Sequence, residues 1–293
     1  MNQGWPLVFF TFMLAGGAAT TAQQILTPTG TTNLKLSIAA SERRVGLYAD
    51  YADQSAVLVL GSGARRFSDA QLLLPSTGSA SPHFVSLESY RGQPVASGGG
   101  WVFVADHING AGGGRLLEIK TGQWTSMSTI PGVTFAAISG DRLALLGLEH
   151  SGSAVGSRVA VYDCRTRALL GMAQHPAFPA FVFLSFSGPD TALLIETATL
   201  QVQPYTIGGG TLKALPPVKL SGAEVADSVR RAQGSNLPSN SRPRYVTAHF
   251  PGHNGNQLFF LAPYKSADGL RLVEFDSNGM QVKAYRVLGE STD

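Results

Sequence analysis

The sequence has one cysteine, few charged residues and no long basic run, and these shortages exclude several classes of protein. The single Cys164 rules out an intrachain disulfide framework, and we expect it to be a small apolar residue in a strand turn. Charged residues make up 14% of the chain and its net charge is +3. We expect no nucleic-acid partner, because nucleic-acid binding requires a concentrated basic surface.

The familiar catalytic and cofactor motifs are also missing. No G-x-S-x-G elbow is present, which argues against an α/β-hydrolase, and no H-E-x-x-H or C-x-x-C spacing indicates a metal site. The glycine triplets at 98–100, 112–114 and 208–210 lack the lysine of a phosphate-binding loop and are typical of hairpin turns. We therefore expect no cofactor.

The first 22 residues have the pattern of a secretory signal peptide. An apolar run at 7–14 is followed by small residues up to Ala22, which favour a cut before Gln23. No Lys or Arg precedes Lys35, so a retained membrane anchor is the alternative. The apolar run is short for a membrane span, and we expect cleavage without a remaining span. The predicted location is secreted, periplasmic or in the cell envelope.

Strand-like runs recur along the rest of the chain and lack helical periodicity. Hairpin patterns have equivalent apolar positions at Ile119, Tyr162, Tyr205 and Phe275, with spacings of 43, 43 and 70 residues. Two further strand-like runs precede each hairpin, so one unit contains four short strands. The repeat predicts an all-β protein, a β-propeller of four-stranded antiparallel blades. Five blades are counted, and six are possible if another unit lies around 88–100.

The predicted domains are a signal peptide at 1–22, an N-terminal segment at 23–33 and a propeller domain at 34–293. The N-terminal segment is a candidate for the strand that closes the ring. The long last spacing places an insertion at 219–244. There, Ser221 and Glu224 form a capping-box pattern that predicts a helix with Ser221 as its N-cap.

Two parts of the chain resemble a known type of repeat. The runs 101–106 with 117–122, and 259–262 with 273–279, are similar to secreted β-propeller repeats of the YVTN or NHL-like kind, in which apolar strands lead to an acidic turn and a glycine. The resemblance implies a propeller over most of 34–288. It does not select an activity, because such propellers include binding proteins, lyases and hydrolases.

Several chemistry-bearing residues are predicted to share one face of the propeller. In a four-stranded blade, the loops after the second and fourth strands lie at the same end. This rule places Asp106–His107, Glu149–His150 and Glu196 after second strands, and His175 after a fourth strand. A carboxylate beside an imidazole can bind a divalent metal or act as general acid and base. The simpler interpretation is that these are solvated loop residues.

The leading functional hypothesis is a secreted, monomeric binding or scaffold module. We expect a protein, peptide or glycan ligand on the loop face, with Asp106, His107, Glu149, His150 and His175 as candidate binding residues. The alternative is a propeller enzyme, a hydrolase or lyase with or without a metal, that uses the same loops. A structural subunit of an envelope assembly is a third hypothesis.

Overall fold

The described part of the chain consists almost entirely of short strands. The computed structural model describes the backbone of residues 24–26, 43–49, 56–62, 71–74, 83–86, 95–106, 112–151, 154–175, 182–233, 243–251, 255–262 and 270–287. It describes the side chains of 95–106, 112–148, 156–175, 182–233, 243–251, 255–262 and 271–285. The chain divides into a larger unit, 41–196 with 201–218, and a smaller unit, 1–40 with 197–200 and 219–293.

In its described residues the larger unit contains four sheets, each with an antiparallel path of four strands consecutive in sequence. Sheet I contains β2 (Arg43–Ala49), β3 (Ala56–Ser62), β4 (Gln71–Leu74) and β5 (His83–Ser86). Sheet II contains β6 (Val95–Gly98), β7 (Trp101–Ala105), β8 (Gly114–Glu118) and β9 (Gln123–Met127). Sheet III contains β10 (Val133–Ser139), β11 (Arg142–Ser151), β12 (Ala154–Asp163) and β13 (Leu169–His175). Sheet IV contains β14 (Val182–Gly188), β15 (Thr191–Glu196), β16 (Gln201–Gly208) and β17 (Thr211–Ala214), and β18 (Val218–Lys219) also pairs with β16.

Sheets II, III and IV pack against one another through both faces of sheet III. Leu143 and Leu145 on β11 belong to the core shared with sheet II, whereas Ala144 and Leu146 belong to the core shared with sheet IV. All four are fully buried, because successive strand residues point to opposite faces and both faces are covered. This explains why the central strands are continuous apolar runs rather than alternating ones.

The described residues of the smaller unit form a fifth sheet and one helix. Sheet V contains β19 (Val246–Pro251), β20 (Gln257–Leu261), β21 (Leu270–Phe275) and β22 (Gln281–Val287) in antiparallel order, and β1 (Gln24–Leu26) pairs in parallel with β22. Thus a strand from the predicted N-terminal segment extends the last sheet. The helix α1 spans Ala223–Gln233, within the predicted insertion.

The predicted N-cap of α1 was wrong. The N–H of Ala226 donates to the carbonyl of Gly222, so Gly222 rather than Ser221 precedes the first helical turn. Ser221 instead forms a parallel bridge with Met280, and the side chain of Gln281 accepts the N–H of Glu224. A cap supplied from 57 residues away leaves no local sequence signal. Gly222 has φ +141 and lies where a Cβ would be 2.3 Å from the Cβ of Gln281, so glycine is required.

Arg271 holds α1 against sheet V. Its guanidinium Nη1 lies 2.5 Å from Glu224 Oε2 and 2.6 Å from Asp227 Oδ2. Burial alone would raise the pKa of Asp227, but hydrogen bonds from Arg230, Arg271 and Arg231 outweigh it and lower the pKa to about 2. The carboxylate therefore stays ionised and paired across the neutral pH range.

The predicted division of the first two units was also wrong. The sequence pattern predicts 84–87 as the first strand of a unit and His83 as a residue of the preceding loop, but 84–86 fall in β5, the fourth strand of sheet I. The first strand of sheet II is β6, in the interval considered for a sixth unit. His83 is therefore the first residue of a fourth strand rather than a loop residue. Both runs are equally short and apolar, and only their pairing partners distinguish them.

The described residues include no helix long and apolar enough to cross a membrane.

Candidate functional site

The predicted site residues differ in where they lie and in how much of their surroundings the structure describes. Asp106 follows β7 as predicted, is exposed, and lies 4.0 Å from Arg115 Nε. His107 lies outside the described residues. Glu149 and His150 were predicted in a loop, but they lie within β11, because β11 and β12 stay paired as far as Ser151 and Ala154. Their side chains are outside the described part, so the predicted pairing of the two acid–imidazole loops stays a prediction.

His175 is the predicted candidate whose surroundings the structure describes in detail. It is the last residue of β13, the fourth strand of sheet III, and is 8% exposed. Its Nδ1 lies 2.9 Å from the hydroxyl of Tyr205, and its Nε2 lies 3.8 Å from Oε1 of Glu196. We call His175, Glu196 and Tyr205 the His175 cluster.

The cluster is assembled by the packing of sheet III against sheet IV. Tyr205 lies on β16 and is 1% exposed, with its ring in the apolar core between the two sheets. Glu196 is the last residue of β15, the second strand of sheet IV. His175 and Glu196 were predicted on the loops after these strands, but they are the last residues of the strands themselves, and here the end of a fourth strand meets the end of a neighbouring second strand. This end of sheets III and IV belongs to the loop face, the end at which the loops after second and fourth strands lie.

The electrostatics of the cluster favour a neutral imidazole and a protonated phenol. Burial lowers the pKa of His175, and the nearby Glu196 carboxylate only partly opposes this shift. Burial raises the pKa of Tyr205 to about 12, with a contribution from Glu196. At neutral pH the imidazole is therefore neutral and the phenol keeps its proton. We assign Tyr205 as the donor to Nδ1, which leaves the imidazole proton on Nε2, toward Glu196.

The sequence pointed to two of the three members. Counting the strands of each unit placed His175 and Glu196 on one face, but the repeat identified Tyr205 only as an apolar position. A buried tyrosine gives no sequence signal for its hydroxyl partner, because that partner lies 30 residues away on another sheet. The contact between Tyr205 and His175 can be seen only in the packing of sheets III and IV.

A second buried imidazole lies in the smaller unit. Nε2 of His249 is 2.7 Å from Oε1 of Gln257, and its ring packs at 4.7 Å, between centroids, against Phe259. Burial lowers the pKa of His249 to about 4, despite the Gln257 contact. A neutral, packed imidazole of this kind is expected to stabilise the sheet.

The surroundings of Cys164, Trp101 and Trp124 indicate structural roles for these three residues. Cys164 is 1% exposed, and burial raises the pKa of its thiol to about 12, so no reactive thiolate forms. Trp101 packs on the core between sheets II and III and donates its indole N–H to Asp141. The guanidinium of Arg115 lies 5.4 Å from the ring centroid of Trp124.

Among the described residues, no group of three or more His, Cys, Asp or Glu side chains is arranged to hold a metal ion. Neither the His175 cluster nor His249 supplies such a set. The predicted carboxylate–imidazole loops extend beyond the described side chains, and a metal there stays a hypothesis.

Comparison with solved structures identifies the fold. Hsv2 from Kluyvelomyces marxianus matches with a TM-score of 0.51 and 9% identity, over 88% of this chain and 76% of that one. The β-propeller domain of the Trilobed protease from Pyrococcus furiosus matches with a TM-score of 0.48 and 8% identity, over 83% and 84%. Acylaminoacyl peptidase from Pyrococcus horikoshii matches with a TM-score of 0.49 and 9% identity, over 85% of this chain and 46% of that one, so this chain spans about half its length.

No family model and no curated protein matches the chain. The four-stranded antiparallel sheets and the likeness to Hsv2 establish an all-β protein of the β-propeller class. At 9% identity the likeness shows the fold and carries no function.

Proposed function

We propose that the protein is a binding or scaffold module whose protein, peptide or glycan ligand contacts the loop face. The observation that supports this function is the His175 cluster, in which Tyr205 fixes the imidazole at the ends of β13 and β15. A donor held in one orientation before binding reduces the entropy lost when a ligand is bound. Asp106, on the loop after a second strand, is a further candidate contact.

The geometry of the cluster favours binding over nucleophilic catalysis. A histidine base activates a hydroxyl that can reach the substrate. The hydroxyl at His175 belongs to Tyr205, which is 1% exposed and whose pKa is raised to about 12. The alternative enzyme would rely on Asp106, His107, Glu149 and His150, and the experiment below also tests it.

A screen of defined ligands tests the proposal. The chain from Gln23 to Asp293 is immobilised and exposed to a phage-displayed random peptide library and to a glycan array. We expect binders that lose affinity in His175→Ala and keep it in Lys120→Ala, a matched change at an exposed turn residue between β8 and β9. Binders whose affinity does not depend on His175 would contradict the proposal. Turnover of ester, peptide or glycoside substrates that persists in His175→Ala would also contradict it.

The export of a monomeric protein to the periplasm, the envelope or the medium is part of the proposal. It rests on the signal-like residues 1–22 and on the resemblance to secreted propeller repeats. N-terminal sequencing of the expressed protein should find Gln23 as the first residue, and light scattering should give the mass of one chain. An intact N-terminus in the membrane fraction would support the retained anchor instead.

A further inference from the structure

Met280 combines an exposed side chain with a sulfur atom that accepts a hydrogen bond. It is 54% exposed, in the hairpin turn between β21 and β22. The hydroxyl of Ser221 donates to its Sδ across 3.1 Å, which is shorter than the 3.5 Å from the same hydroxyl to the carbonyl of Gly279. The main chain holds the hydroxyl beside the sulfur, because the N–H of Ser221 donates to the carbonyl of Gly279 and the N–H of Gln281 donates to the carbonyl of Ser221.

This hydrogen bond makes the two sides of the sulfur unequal. A thioether sulfur has two lone pairs, and oxidation at one or the other gives opposite epimers of methionine sulfoxide. With hydrogen peroxide, a lone pair forms an S–O bond to one peroxide oxygen, the O–O bond breaks, and the second oxygen leaves as water with the proton of the first. Sulfur is oxidised by two electrons and the peroxide is reduced. The Ser221 hydroxyl covers one lone pair of Met280, so a peroxide reaches the other one without breaking a hydrogen bond.

We propose that Met280 is a site of stereoselective oxidation by hydroperoxides, which gives mainly one sulfoxide epimer. Two other methionines lie outside the predicted signal peptide and provide the comparison. Met127 is 7% exposed in the core of sheets II and III and should stay reduced, whereas Met172 is 40% exposed on β13 and should also react. The new oxygen on Met280 points away from Ser221, so the cap that Gln281 supplies to α1 is kept. This site goes beyond the proposed binding function and does not depend on it.

Mild treatment of the folded protein with hydrogen peroxide, followed by tryptic digestion and mass spectrometry, tests the proposal. Cleavage after Arg271 and Lys283 gives the peptide 272–283, in which Met280 is the only methionine. The digest is divided between methionine sulfoxide reductases A and B, each of which reduces one epimer. We expect one enzyme to reduce about fivefold more of the Met280 sulfoxide than the other, because attack at the covered lone pair first breaks a hydrogen bond.

Two variants isolate the effect of the Ser221 hydroxyl. Ser221→Ala removes the hydroxyl and should bring the two epimers to near-equal amounts, whereas Ser221→Thr keeps a hydroxyl and should retain the excess of one epimer. Protection of Met127 in the same digests shows that each variant is folded. Equal amounts of the epimers in the unchanged protein, an excess that persists in Ser221→Ala, or oxidation of Met280 no faster than that of Met127 would overturn the proposal.

Discussion

Replacing Arg167 by glycine should stabilise the protein, because Arg167 occupies a backbone conformation that suits glycine. Arg167 has φ 61 and is exposed in the hairpin turn between β12 and β13, where its N–H donates to the carbonyl of Asp163. In the equivalent hairpin of sheet II, Gly122 has φ 69 and its N–H donates to the carbonyl of Glu118. In both turns a threonine bonds the acidic residue, so the turns differ mainly in the residue at the left-handed position.

The expected gain follows from two opposing effects. A residue with a Cβ in the left-handed region costs about 1–2 kcal/mol. Glycine also raises the entropy of the unfolded chain, which lowers the free energy of unfolding by about 0.4–1 kcal/mol. Arg167→Gly should therefore raise the free energy of unfolding by about 0.5–1 kcal/mol, or the melting temperature by about 1–3 °C.

Urea unfolding and differential scanning calorimetry provide the measurement, with two controls. Ala168→Gly changes an exposed neighbour outside the positive-φ residues and should lower stability by about 0.5–1 kcal/mol. Gly122→Ala introduces a Cβ that meets no atom within 4 Å, so it should cost about 1 kcal/mol through φ alone. If Arg167→Gly destabilised the protein as Ala168→Gly does, the equivalence of the two turns would be refuted.

Three further predictions concern buried polar groups. Tyr205→Phe and His175→Ala should each lower the free energy of unfolding in urea by about 1–2 kcal/mol, with a coupling energy of about 1 kcal/mol in the double variant. Additive costs would show that the two side chains do not share a hydrogen bond. Burial lowers the pKa of His249 from 6.5 to about 4, so between these pH values the unfolded chain binds a proton that the folded chain does not. The free energy of unfolding should therefore fall by about 3 kcal/mol as the pH drops from 6.5 to 4. His249→Gln should flatten that profile, and an unchanged slope would contradict the assignment. Arg271→Ala should lower the free energy of unfolding by about 2–3 kcal/mol and weaken the helical circular dichroism signal, because Asp227 loses its partner. Unchanged stability and an unchanged helical signal would show that the ion pairs do not hold α1.

Much of the fold follows from short-range periodicity. The short apolar runs of β7, β12 and β15, with acidic turns between third and fourth strands, predict four-stranded units without long-range information. Periodicity does not say which strand starts a unit, and this is why 84–87 was assigned to the wrong sheet. The pairing of β5 with β4 rather than with β7 depends on contacts that no local pattern encodes.

The candidate site was predictable to the level of a face but not of a contact. Strand counting placed His175 and Glu196 together because antiparallel strands reverse direction at each turn. It could not find Tyr205, whose role depends on the packing of one sheet against the next. It also misplaced Glu149 and His150, since polar residues late in a strand resemble the start of a loop.

The central claim is that a ligand contacts His175 on the loop face, and long-range proton–nitrogen NMR of the imidazole side chains tests it most directly. The tightest binder from the peptide and glycan screens is added to the labelled protein. We predict a neutral His175 with its proton on Nε2, whose Nε2 signal shifts on binding while that of His249 stays unchanged. An unshifted His175 signal at saturation, or a proton on Nδ1 in the free protein, would contradict the account.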